Sequence, residues 1–340
     1  MPKNNTIQCL KCASTAIVKK GIRKNKLQIL QQYQCKNCKY IFTKNKSKNT
    51  TYTINTILKS ISSYNLGYNL KQTKERLHLD SSLPTISSWI NKYKQICTFC
   101  RLREEAIGLS KKEMLFSQKL QHNQVYNFQL HKAKLELQSK ELLPQKFQLL
   151  RVHLEKVPKE QFPHHIFQPK QDAEELPVLA RSSQVKFDIN KDMITIEKNN
   201  LSSRLASLAL NLAATNKQRH EAIQNFMLIN DSTTVACEVP VYLTGDDIKY
   251  FQSRGFTLNL DGYQTPITGH IDILQIRNGL LHILDYKPEA DKVNPIEQLT
   301  IYALALASRT KLALKDFKCA WFDENNYFEF FPLHAVYSKR

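Results

Sequence analysis

The stretch Gly269-His-Ile-Asp-Ile-Leu-Gln-Ile-Arg-Asn-Gly-Leu-Leu-His-Ile-Leu-Asp-Tyr-Lys287 constrains the fold more than any other part of the chain. Two apolar β runs flank Asn278-Gly279, a pair that tolerates positive φ and favours a two-residue type I′ hairpin. With those residues as the turn, Arg277 faces Leu280, and counting outward sets Asp272 opposite Asp285. Leu274, Ile276, Leu281 and Ile283 fill the rest of that face, while Ile271, Ile273, Leu280 and Leu284 line the other. Both faces are apolar, so the hairpin belongs inside a covered sheet.

The polar exceptions carry the chemistry. Directly opposed residues have Cβ atoms about 4.5 to 5.5 Å apart, so two carboxylates there repel unless something positive lies between them. A divalent cation meets that need. Lys287 lies two residues beyond Asp285 and points to the same face. A salt-bridged strand end exposed to water is the simpler alternative, but buried charge is costly without a use.

The order Asp272, then Asp285-Tyr-Lys287, resembles the PD-(D/E)xK nuclease superfamily. Within it the likeness is to the RecB-like exonucleases, including CRISPR-associated ones, whose later helix carries QxxxY; Gln298-Leu-Thr-Ile-Tyr302 supplies that pattern. Asn294, Pro295 and Glu297 read as N-cap, first turn and box-like acid of that helix, so Gln298 and Tyr302 share one face a turn apart. The resemblance also implies a helical histidine before the sheet, matched by His220, and an intervening acid, matched by Glu238 in ACEVPVYL. It covers about residues 200 to 335. The implied roles are Mg(II) or Mn(II) held by His220, Asp272, Asp285 and the Tyr286 carbonyl, with Lys287 orienting the nucleophile and Gln298 and Tyr302 positioning the strand. Several relatives bind an iron-sulfur cluster through C-terminal cysteines. Only Cys319 lies beyond Lys287 here, so no cluster is expected.

A second constraint lies near the start. Cys9-Leu-Lys-Cys12 and Cys35-Lys-Asn-Cys38 are two CxxC pairs separated by 22 residues. Four thiolates in two knuckles match a closed, structural Zn(II) site. The segment between them, with Ile17, Val18, Leu27, Ile29, Leu30 and Tyr33, is too small to build a sufficient core, and zinc would supply that stability. A pair of redox dithiols is the alternative. Cys97-Thr-Phe-Cys100 is a third CxxC without a partner pair, Cys237 and Cys319 are isolated, and these four read as mostly structural.

Charge points to a polyanionic partner. The formal net charge is +19, and residues 1 to 74 carry fifteen Lys or Arg and no acid, leaving 34 basic against 30 acidic groups in the remainder. A concentrated basic region gains affinity for nucleic acid by releasing counterions from phosphate, although ribosomal and membrane-surface proteins share this trait. Within it, Ile54, Ile57, Leu58 and Ile61 form one helical stripe, and Leu66, Leu70 and Leu77 lead toward a second helix. A third helix begins near Pro84, with Ile86, Trp89, Ile90 and Tyr93 at helical spacing. Thr85, Ser87, Ser88, Asn91 and Lys92 then form a polar face that fits a major groove. This region, notably LPTISSWINKYK, resembles the zinc-ribbon and helix-turn-helix N-termini of insertion-sequence transposases over about residues 7 to 93. A plain three-helix packing module is the alternative.

These readings predict a multidomain chain: a zinc ribbon at 1–50, a small all-α helix-turn-helix at 51–96, a helical linker at 97–180, and an α/β restriction-endonuclease-like domain at 181–340. Lys, Gln, Leu and Glu at mixed three and four spacing predict long helices from Cys97 to Leu150, broken by prolines at 158, 163, 169 and 177. No apolar run reaches the about 18 to 20 residues that span a bilayer, and MPKNNTIQC lacks a signal-peptide core, so no membrane association and a cytoplasmic, reducing location are expected. The expected function is metal-dependent cleavage of DNA, linked to a mobile element. A DNA-binding regulator with a non-catalytic nuclease fold, and RNA as substrate or partner, stay open. Site preference, end or internal cleavage, polarity and oligomeric state are not fixed by the sequence.

Overall fold

The two apolar runs around Asn278-Gly279 pair as expected, and the rest of the architecture grows outward from them. The computed structural model describes residues 9, 12, 14–24, 29–43, 52–109, 114–141, 146–168, 181–188, 194–197, 199–260 and 266–337; Leu27, Pro169 and Pro177 lie outside them. The chain divides into two compact units, Met1–Ser60 and Ile61–Arg340.

In the first unit β1 (Ile17–Lys24), β2 (Ile29–Cys35) and β3 (Ile41–Thr43) form an antiparallel sheet in that order. Its register shifts between Lys19 and Gly21, where Gly21 takes φ +122°, a conformation L side chains rarely adopt. Among the described residues the apolar cluster beside this sheet is Cys9, Cys35 and Phe42, flanked by residues such as Tyr33 and Tyr40. A core this small needs another source of stability.

Helix α1 (Ile54–Asn65) spans the boundary between the units. In the second unit α2 (Leu70–Arg76) starts at an Asn69/Gln72 capping box. Helix α3 (Leu83–Tyr93) starts at Ser82, whose side chain accepts from Thr85 N, with Pro84 in the first turn where no N–H is needed. It buries Ile86, Trp89 and Ile90.

Residues 97 to 150 are not the expected run of long helices. Short α4 (Arg103–Leu109) gives way to β4 (Phe116–His122) and β5 (Gln124–Leu130), and only then come α5 (Lys132–Glu141) and α6 (Gln148–Lys156). The polar Gln and Lys positions obscure a two-residue alternation that buries Leu120, Phe128 and Leu130. Asn123, at φ +57°, makes the tight turn between the strands. Nor is this segment a linker, because β5 pairs with the central sheet through Gln129↔Cys237 and Leu130↔Ala236, and Leu150 and Leu154 join the main core.

The remaining elements are β6 (Thr195–Ile196), α7 (Leu201–Ala209), α8 (Arg219–Asn230), β7 (Thr234–Leu243), α9 (Gly245–Ser253), β8 (Ile267–Arg277), β9 (Leu280–Tyr286), α10 (Ile296–Thr310), β10 (Phe317–Phe322), β11 (Tyr327–Phe330) and α11 (Pro332–Val336). One eight-stranded sheet runs β4-β5-β7-β8-β9-β10-β11-β6. It is mixed: β9 and β10 are parallel, joined through α10, and the other neighbours are antiparallel. Helix α10 packs against β7 and β10, and its Leu299, Ala303 and Leu306 share a core with Leu274, Ile276, Leu281 and Ile283. Among the described residues no helix is long and apolar enough to cross a membrane.

Candidate active site

Asn278 and Gly279 take φ +52° and +72°, both left-handed as a type I′ turn requires. The ladder then runs Arg277↔Leu280 through Ile273↔Leu284, so the next position outward sets Asp272 beside Asp285. Asp272 Oδ2 instead accepts a hydrogen bond from Tyr286 N at 3.3 Å, tying the two strand ends together through the acid.

The row of acids extends to a third strand. β7 pairs with β8 through Cys237↔Ile273 and Val239↔Ile271, which sets Glu238 opposite Asp272. Glu238 itself takes φ +51° in mid-strand, a left-handed conformation that costs an ordinary residue about 1 to 3 kcal/mol. Gln224 on α8 donates to Glu238 Oε1 at 2.7 Å, and one turn earlier His220 Nδ1 lies 3.6 Å from Asp272 Oδ2. The His220 ring meets the Tyr286 ring edge-on at 5.0 Å.

Lys287 Nζ is 2.8 Å from Asp285 Oδ2, an oxygen that is buried and has no hydrogen bond of good geometry. On α10, Gln298 Nε2 donates to Tyr302 Oη at 2.7 Å. Ile296 begins that helix, one residue later than the sequence predicts, yet Asn294 Oδ1 still caps it by accepting from Ile296 N at 3.2 Å. Ser182, Gly269 and Tyr302 meet beside the row and line a cavity of about 210 Å³ shared with Glu238 and Asp272.

Electrostatics divides the acids. Burial, then the charge of Asp272, pushes Asp285 well above the usual carboxylate range, with Lys287 opposing. Burial and Asp272 likewise raise Glu238 to about 8. Asp272 shifts the other way: burial opposes its ionisation, but hydrogen bonds from His220 and Asp285 and the charges of His220 and Lys287 outweigh it. Lys287 is raised, since Asp285 overrides the cost of burial. Burial and the shared negative charge thus favour the protonated forms of Asp285 and Glu238.

The donor set fits a divalent ion. Hard carboxylate oxygens and a backbone carbonyl suit Mg(II) or Mn(II), and Asp272 and Asp285 would be the acids to hold such an ion, with Lys287 already 2.8 Å from Asp285 Oδ2. Among the described residues only the cysteines bring three or more His, Cys, Asp or Glu ligand atoms within 4.8 Å of one another. His220, 3.6 Å from Asp272 Oδ2, and Glu238, on the neighbouring strand, flank the Asp272 and Asp285 pair.

In the first unit Cys9, Cys12, Cys35 and Cys38 form that metal-competent group. Cys9 and Cys38 sulfurs are 3.5 Å apart and those of Cys12 and Cys35 3.6 Å. Zn–S bonds of about 2.3 Å place tetrahedral sulfurs ~3.8 Å apart, so zinc fits with little adjustment. The backbone N–H of Cys38, helped by that of Asn37, lowers the Cys35 thiol to about 6 against the opposing effect of burial.

On α3 Ser88, Asn91 and Lys92 are exposed and Thr85 and Ser87 half-exposed, so the polar face stands clear of the apolar stripe. Cys97, Cys237 and Cys319 are buried and Cys100 is partly so. Sequence reasoning missed Gln224 and Ser182; the first lies one helical turn after His220, but nothing in its type marks it. It also missed the left-handed conformation of Glu238, which no residue preference signals.

A family model of the PD-(D/E)XK nuclease superfamily matches residues 168–328, which hold all eight expected acid-site residues from His220 to Tyr302. Searches among curated proteins and solved structures return no match to the chain.

Proposed function

We propose that this chain is a Mg(II)- or Mn(II)-dependent nuclease that hydrolyses DNA phosphodiester bonds, similar in its catalytic pattern to RecB-like and CRISPR-associated exonucleases. The observation that carries this reading is the juxtaposition of Asp272 and Asp285 on paired strand ends with Lys287 Nζ 2.8 Å from Asp285. Asp272, Asp285 and the Tyr286 carbonyl would hold the ion, which would polarise the scissile phosphate and lower the pKa of a bound water.

The protein groups do the rest. The Lys287 ammonium, kept charged by Asp285, offsets negative charge developing on the phosphate and orients the attacking water. His220 holds Asp272 ionised. Tyr302, buried and fixed by Gln298, supports the substrate strand beside the acids. Glu238 serves as a second acid whose proton is available to the reaction.

In the same reading Cys9, Cys12, Cys35 and Cys38 hold a structural Zn(II). The basic N-terminal region and the α3 face of Thr85, Ser87, Ser88, Asn91 and Lys92 bind DNA as a transposase-like helix-turn-helix, consistent with a link to a mobile element.

Cleavage of end-labelled DNA and RNA in Mg(II) and Mn(II) tests the proposal. Wild-type protein is expected to cut DNA, and Asp285→Ala and Lys287→Ala to lose at least about 100-fold in rate. Equal activity in wild type and both variants would overturn the catalytic reading, and cleavage confined to RNA would overturn the choice of DNA.

A further inference from the structure

The helices around the α3 face are joined to the catalytic core by buried polar side chains. Asn65, fully buried at the end of α1, donates from Nδ2 to Asn230 Oδ1 at 2.9 Å, and Asn230 Nδ2 donates to Ser62 Oγ at 2.9 Å. Asn230 is the last residue of α8, whose first two turns set His220 on Asp272 and Gln224 on Glu238. One helix therefore touches α1 at one end and the acid row at the other.

The chain leaving α3 is fixed at the same place. It passes through a short 3-10 turn, Thr98–Arg101, with Cys97 and Phe99 buried. Thr98 Oγ1 accepts from Ser232 N at 2.9 Å, just beyond the end of α8. Arg103, only 5% exposed, then reaches back to the turn between α1 and α2. Its Nε donates to Tyr64 O at 2.8 Å, and its Nη2 to Gly67 O at 3.2 Å and Tyr68 O at 3.1 Å. From the other side Lys134 on α5, fully buried, donates to the carbonyls of Leu228, Asp231 and Thr234 and ties the end of α8 to β7. A hinge opening here would strip partners from several buried polar groups at once, and such groups are expensive to leave unpaired. Residues 61 to 340 accordingly form one compact unit.

We propose that the α3 face and the acid row move as one body, so that the chain makes an internal cut at a fixed distance from the sequence α3 contacts. The proposal rests on the nuclease and DNA-binding readings above. A flexible tether would let the acids reach any phosphate within its length, and cuts would scatter or follow the nearest end. A rigid body with one helix seated in a major groove presents its acids to a single register of the duplex. Asn65, Thr98, Arg103 and Asn230 are then positioning residues. They touch neither the reacting phosphate nor the recognised bases, and they set the span between the two.

Two measurements on the full chain test this. Nitroxides carried on a ketone-bearing amino acid at positions 75 and 249, exposed sites on α2 and α9, spare the cysteines and report the distance between the two helices by pulsed electron paramagnetic resonance. A single narrow distance that added duplex DNA does not shift is expected; a broad or double distribution would overturn the rigid coupling. For the cut, Asp285→Ala protein selects a sequence from a randomised duplex pool, and wild type in Mn(II) then cleaves labelled duplexes carrying it at several distances from their ends. Cuts are expected at one offset from the sequence in every duplex. Cuts that track the ends, or spread over a turn of about 10 base pairs, would overturn the fixed span. Asn230→Ala, and the milder Thr98→Val should the first fail to fold, are expected to spread the cuts while affinity for the selected sequence holds; cuts as sharp as wild type in the folded variant would overturn the assignment of these contacts. A narrow nitroxide distance in a chain that selects no sequence, or cuts nothing, would refute the DNA-binding or nuclease reading and leave the rigid coupling standing.

Discussion

A methyl group at Gly269 would collide with Tyr302 Cε1 and lie 2.6 Å from Ser182 Oγ, so this glycine is set by close approach and not by backbone conformation. Tyr302 is buried and bonded to Gln298 and cannot swing away cheaply. Gly269→Ala should therefore cost about 1 to 3 kcal/mol in denaturant titrations and disturb strand positioning; unchanged stability together with unchanged KM would contradict the packing argument. His282 gives a second residue-scale expectation. Both its ring nitrogens are buried without partners, and burial, then the charges of Arg277 and Lys318, lowers it to about 3. The unfolded chain then binds more protons than the folded one between about pH 6.5 and 3, so stability falls as pH drops through that window. At ~1.4 kcal/mol for each pH unit crossed, the loss amounts to a few kcal/mol at most. His282→Leu should flatten the acid limb of a stability profile; a slope identical to wild type would exclude this histidine as its source.

At the scale of elements, the β8–β9 hairpin was legible because its turn residues, apolar alternation and acids all pointed to one register. The β4–β5 hairpin was not, since Gln, Lys and Asn fill its outward positions and local composition favours helix. Pairing of β5 with β7 overrides that preference, as sheet context often does. Phe128, fully buried on β5, reports on this directly. Phe128→Ala is expected to lose about 3 to 5 kcal/mol by chemical denaturation of the full chain, a loss that a peripheral linker would not produce. Helix α8 was expected for His220 alone, yet it positions two groups, His220 on Asp272 and Gln224 on Glu238.

At the scale of the whole molecule the chain is two compact units with different sources of stability. The second has an extensive apolar core, while the first has the small Cys9, Cys35 and Phe42 cluster. Metal analysis of the full chain should find about one zinc per molecule, with Cys35→Ser losing both the zinc and the order of β1 to β3. Zinc retained at full stoichiometry in that variant would refute the four-thiolate site. If the proposed function holds, cleavage should be lost to chelation before zinc is, because hard oxygen ligands release their ion more readily than thiolates release zinc.

The order of the functional residues, the hairpin turn and the cysteine spacing were determined by sequence alone, because each depends on contacts a few residues apart or on a periodicity of two. Only the tertiary structure decided that Glu238 completes a row with Asp272 and Asp285, that Gln224 steadies it, and that Tyr126 and Arg181 close the cavity beside it. Those relations join strands and helices tens to more than a hundred residues apart. They arise when the buried sheet chooses its neighbours, and no local propensity encodes that choice.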